Sequence, residues 1–139
     1  MKSAHALCLI GALTIATAQT TSRAVVVNLD TAQWLHGKGD AEGSGGVQLH
    51  TDAAGGGMDL LVRFPSGHII APHSHDSNER VVVVEGQLTL GQVGGESKID
   101  AGGYAFLPAH EVQRLSCTSK TRCTFYLFWD GNPQSHPAN

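Results

Sequence analysis

From residue 46 onward the chain alternates short apolar stretches with glycine-rich breaks, and no stretch keeps the spacing of an amphipathic helix. The apolar stretches predict strands over 24–29, 46–50, 58–64, 79–90, 98–100, 104–107, 112–117 and 122–129, most of them rich in Val, Leu, Phe or Tyr. Turn signals fall between them at 43–46, 53–57, 65–67, 94–95 and 101–103. Seventeen glycines spread through such a pattern point to short strands closed into a sandwich or barrel, so the expected fold is all-β and single-domain. The stretch 79–90 stands out because Val81, Val82, Val83 and Val84 are apolar at both parities. A strand of that kind is expected to be buried on both faces. One face would line the barrel; the other would need a second sheet, a loop or another copy of the chain, which brings a homodimer into view. Residues 131–139, GNPQSHPAN, read as a loose polar tail.

The first residues follow a different logic. Lys2 precedes an uninterrupted apolar run over 6–18, and Ala16 and Ala18 put small residues where a signal peptidase cuts. The expectation is a signal peptide over 1–18, cleaved near Ala18, and an exported barrel domain over 19–139 with a core from about 46 to 129. The run is too short to cross a bilayer as a helix. Cys8 leaves with the signal, so Cys117 and Cys123 remain as an even pair joined by a short polar turn. In an exported chain such a pair is expected to form a disulfide rather than two free thiols. The formal net charge is −3, and loss of Lys2 leaves eight basic against twelve acidic side chains. With no basic stripe and no aromatic–basic interleaving, nucleic acid is not an expected partner, and an acidic chain is not drawn to anionic lipid.

The candidate chemistry lies between Gly67 and Gly86. Side chains alternate along a strand with a rise of about 3.3 Å per residue, so His73 and His75 project to one side roughly 6–7 Å apart. Glu79 shares their parity, and Asp76, Ser77 and Asn78 form a turn-prone triplet that can fold it back toward them. Two neutral imidazoles and a carboxylate on a rigid β-element suit one divalent metal ion: Fe, Mn, Ni, Cu or Zn.

Gly67, His73, His75, Glu79 and Gly86 match every spacing of the first cupin motif, G-x5-H-x-H-x3-E-x6-G, and the chain resembles the cupin superfamily on that ground. The second motif, G-x5-P-x-G-x2-H-x3-N, is met at Gly102 and Pro108, whereas His110 stands in place of its glycine and Gln113 in place of its histidine. The resemblance implies a double-stranded β-helix, a jelly-roll barrel, with His73, His75, Glu79 and the residue at 113 as metal ligands. Gln113 offers an uncharged amide oxygen, which favours Fe or Mn over Zn; alternatively it bonds a metal-bound water or caps a strand, and His110 is a rival fourth ligand. For function the resemblance implies a metal-dependent enzyme of dioxygenase, oxidase, isomerase or lyase type, acting on a small oxygenated molecule, with Glu79 alternating between ligand and base. The other reading is a non-catalytic metal- or ligand-binding cupin, a sensor or structural dimer. Arg63 is a candidate for steering an anionic substrate, though a solvated or carboxylate-paired arginine fits it better. Tyr104 is read as packing or as a cavity-lining proton donor.

Overall fold

A computed structural model describes residues 23–38 and 40–138. The expected signal segment over 1–18, Cys8 included, lies outside the described residues. The strands in chain order are β1 (Gly45–Thr51), β2 (Met58–Phe64), β3 (His73–His75), β4 (Glu79–Glu85) and β5 (Gln87–Gln92). There follow β6 (Gly95–Asp100), β7 (Tyr104–Leu107), β8 (Gln113–Cys117), β9 (Cys123–Trp129) and β10 (Ser135–Pro137). They form two five-stranded antiparallel sheets, β1-β2-β9-β4-β7 and β10-β3-β8-β5-β6. This is the all-β architecture that the strand-and-turn pattern predicts.

The alternation of each strand sets the core. Val81, Val83, Phe125 and Leu127 from the first sheet meet Leu88, Leu90, Ile99 and Leu115 from the second in one apolar cluster. Burying a side chain of this size stabilises the fold by about 1.5–3 kcal/mol. Gly86 is where the chain leaves one sheet for the other. Its φ is 81°, and a Cβ there would lie 2.6 Å from the Arg122 carbonyl oxygen, so only glycine fits.

That glycine breaks the expected 79–90 strand into β4 and β5. The valine run is also covered on one side only. Val81 and Val83 point into the core, while Val84 is 36% exposed, because the second sheet packs against the inner face alone. On the outer face Val82 lies between Tyr104 and Tyr126 in the register. The expected strand over 24–29 is irregular, and Val25 and Val26 are exposed. Their backbone joins no ladder; the segment touches β1 farther on, through the Leu35–Gly46 bridge.

The tail is the largest departure. Rather than hanging loose, residues 135–137 form β10 and pair with β3 in the register Ser135↔His75, His136↔Ser74 and Pro137↔His73. At the opposite end of the barrel the sulfurs of Cys117 on β8 and Cys123 on β9 stand 2.05 Å apart, a disulfide distance that links one sheet to the other.

Candidate metal centre

Two cross-strand rows face each other at the end of the barrel away from the cysteines. In the first sheet Glu79 lies between Trp129 and Leu107. In the second, Gln113 lies between His73 and Gln92. The register thus places Glu79 opposite the histidines, and His73, His75, Glu79 and Gln113 are all buried. Asn78 fixes the intervening turn. Its amide donates to Asp130 Oδ2 at 2.8 Å, its backbone N–H to Oδ1 at 3.1 Å, and its side-chain carbonyl accepts from Ala109 N at 3.0 Å. The bond from Asn78 holds the Asp130 carboxyl below its ordinary range.

Both histidines are oriented from behind. His73 Nδ1 faces the Ala71 carbonyl at 2.8 Å, and His75 Nδ1 faces the Pro133 carbonyl at 2.9 Å. A carbonyl only accepts, so each Nδ1 carries a proton, and Nε2 is the ring atom left for a metal ion. The two rings stand nearly perpendicular, with centroids 4.9 Å apart. His75 also packs edge-on to Trp129, centroid to centroid 5.4 Å.

His75 Nε2 lies 3.3 Å from Glu79 Oε2. An ionised carboxylate and an imidazole lone pair repel unless something positive lies between them. Burial pushes the Glu79 carboxyl up to about 7, against the lowering effects of the Gln113 hydrogen bond and of His73. Gln113 donates from Nε2 to Glu79 Oε2 at 2.5 Å, which leaves its own Oε1 buried and unpartnered. A buried carbonyl without a partner is costly and is a donor atom for a cation. The set therefore fits a hard or borderline divalent ion in its chemistry. It is not a closed cage: among the described residues no three His, Cys, Asp or Glu side chains stand at metal-holding distances.

His110 is not drawn into this set. Its side chain is 74% exposed and lies 4.0 Å from Asp76, outside the barrel. It adopts a left-handed φ of 66°, the conformation that a glycine at this point of the motif takes without strain. Arg63 shares the outward parity of Thr124, and its guanidinium lies 4.3 Å over the Trp34 ring, so it does not face the site. Tyr104 is 59% exposed on the outer face and does not line the interior. Sequence reasoning missed Pro133, because a backbone carbonyl in a polar tail leaves no mark in composition or periodicity. An open cavity of about 450 Å³ beside the β5–β6 hairpin is lined by Pro72, Gly91, Gln92, Glu96, Gln113 and Arg114, among others, and so borders one residue of the set.

Two facing sheets with a buried His-x-His pair and a glutamate on the next strand define a cupin. The chain belongs to the ChrR cupin-like domain family, whose profile matches residues 22–130. No curated protein sequence matches it. Solved structures share the fold at low identity. A Methylibium petroleiphilum protein provisionally assigned as an acetylacetone dioxygenase aligns with a TM-score of 0.67 at 18% identity, over 83% of this chain and 82% of that one. KdgF from a Halomonas species aligns at 0.63 and 17%, over 79% and 94%. An oxalate oxidase solved with the substrate analogue glycolate aligns at 0.62 and 19%, over 80% of this chain and 61% of that one.

Proposed function

We propose that this cupin holds one divalent ion, Fe or Mn in preference to Ni, Cu or Zn, through His73, His75 and Glu79, with Gln113 as the fourth donor. The observation that carries the reading is the approach of His75 Nε2 to Glu79 Oε2, 3.3 Å apart in a buried site, beside the orphaned Gln113 Oε1. An electron-rich spot of this kind takes up either a proton or a metal ion. The raised Glu79 pKa is the first outcome, and metal binding is the second.

On this reading the chain is a metal-dependent enzyme of the dioxygenase, oxidase, isomerase or lyase type, exported after cleavage near Ala18, and it acts on a small oxygenated molecule. The structural likeness to oxalate oxidase and to the acetylacetone dioxygenase assignment is consistent with an acid or enol as substrate. The ion supplies Lewis acidity to a bound carboxylate or carbonyl. Glu79 alternates between ligand and base, taking or returning a proton when it leaves the ion, and Gln113 holds it in place. The aromatic outer face of the first sheet, where Tyr104 and Phe106 are exposed, is the surface on which a second copy of the chain would pack; sedimentation of the mature chain checks it.

A non-catalytic binding cupin is the second reading, favoured by the absence of a closed ligand cage among the described residues. Elemental analysis of untagged protein beside Glu79→Ala and His75→Ala decides whether metal is held. Near-stoichiometric metal, lost in both variants while the barrel stays folded, supports the centre and justifies an oxygen-consumption screen with enols and small acids. Less than about a tenth of an equivalent after anaerobic reconstitution overturns it. A loaded protein that turns over nothing in the screen favours the binding role.

A further inference from the structure

The family profile ends at residue 130, and the chain beyond it runs back along the strand that carries both histidines. That strand, β3, pairs more with the tail than with β8, although His110 N also donates to the His75 carbonyl at 2.8 Å. The strand makes a single register pair with β8, His73↔Gln113, against three with β10. The Pro133 carbonyl receives the His75 Nδ1 proton at 2.9 Å. Four further bonds surround that contact. Ser77 Oγ donates to Asn132 O at 3.0 Å, Asp76 N to Gln134 O at 3.3 Å, and Ala138 N to Pro72 O at 2.9 Å. His136 Nε2 meets Asp76 Oδ1 at 2.8 Å.

We infer that residues 131–138 are a strap that fixes the His75 imidazole and governs how firmly the site retains its ion; the inference rests on the metal-centre reading above. Two features argue for a detachable element. The strap is polar and β10 is exposed, so it is held by hydrogen bonds, each worth little once competition from water is counted, and not by apolar burial. Its hydrogen bond to a ligand ring also reaches one histidine alone. His73 takes its carbonyl partner from Ala71, two residues away, and keeps it whatever the tail does, whereas His75 takes its partner from 58 residues along the chain. Partners that orient a ligating histidine change metal affinity by about 10- to 100-fold when removed. A docked strap is a retaining state, and a released strap frees the His75 ring to turn and the ion to exchange.

The test uses Co(II), whose visible absorption reports its ligand field, with the full mature chain, a chain ending at Asp130, and the double variant Ser77→Ala/His136→Ala. Expected are an unchanged barrel circular dichroism, Co(II) affinity at least about tenfold weaker in the truncated chain, and an altered absorption band. The slowly exchanging His75 ring N–H, visible by NMR in the metal-free full chain, should be lost on truncation. The double variant keeps the backbone and should release Co(II) several-fold faster. Equal affinity, band and ring signal in full and truncated chains overturn the strap while leaving the metal centre standing. If the truncated chain does not fold, the double variant decides: unchanged Co(II) release overturns the proposal. If the full chain takes up no Co(II), the metal reading falls, and the His75 ring signal decides on the strap alone.

Discussion

Gln113 reaches across from the second sheet to Glu79 on the first, Nε2 to Oε2 at 2.5 Å, while its own oxygen stays buried without a partner. One side chain thus restrains the proposed base and offers the proposed fourth ligand. Replacing it separates the two roles. Gln113→His puts an imidazole, a stronger donor than an amide oxygen, at the fourth position, and should raise Zn(II) or Co(II) affinity by about tenfold or more. Gln113→Leu removes both the donor and the bond that lowers the Glu79 pKa, and should weaken binding while moving the Glu79 titration upward, measured by chelator competition and carboxyl NMR. Binding unchanged in both variants would mean that Gln113 only fills space.

The stability of the metal-free protein should fall as pH rises through neutrality. Glu79 has a folded-state pKa near 7 against an ordinary 4.5, caused chiefly by burial. The fold therefore prefers the protonated form. That preference stabilises fully below about pH 4.5 and is lost as pH climbs through about 7, a swing of about 3 kcal/mol. Denaturant unfolding at pH 5 and pH 8 checks it, with Glu79→Gln as control. The variant should lose most of the slope, and parallel curves would refute the assignment. Bound metal should reverse the trend, since the ion competes with the proton.

Oxidation of Cys117 and Cys123 closes a short loop, for which the chain-entropy relation gives about 2 kcal/mol of stabilisation. The folded protein should weigh two hydrogens less than the dithiol and lose about that much stability on reduction. A free thiol titre of two per folded chain would show that the cysteines only sit together.

His110 adopts a left-handed φ of 66°, a conformation that costs a residue with a Cβ about 1–2 kcal/mol. Asp76, 4.0 Å away, is itself exposed and offsets little. His110→Gly should therefore raise the melting temperature and leave metal content unchanged. A drop in metal content would reinstate His110 as a ligand.

The parts of this molecule that were legible in the sequence are those that repeat locally. Met58–Phe64 and Tyr104–Leu107 match the predicted strands to the residue, because period-two alternation between turn residues is a short-range signal. The motif spacing likewise brought His73, His75, Glu79 and Gln113 to one end of one barrel. What escaped depends on partners far along the chain. Val82 and Val84 carry the same apolar signature as Val81 and Val83, yet which face receives the second sheet is decided only when β5 crosses over at Gly86. The tail was misread for the same reason. Its strand exists because the edge of β3 offers unpaired backbone groups, and nothing within GNPQSHPAN announces that edge.

The disulfide contact and the site occupy opposite ends of the same pair of sheets. The sulfurs of Cys117 and Cys123 stand at a disulfide distance between the sheets at one end; at the other, Glu79 on one sheet faces His73, His75 and Gln113 on the other. Mechanically this is a pair of tweezers, with the sulfurs as the hinge and the ligands at the tips. On the metal-centre reading, an ion held at the tips would be a second rivet between the halves, at the end where the sulfurs cannot reach.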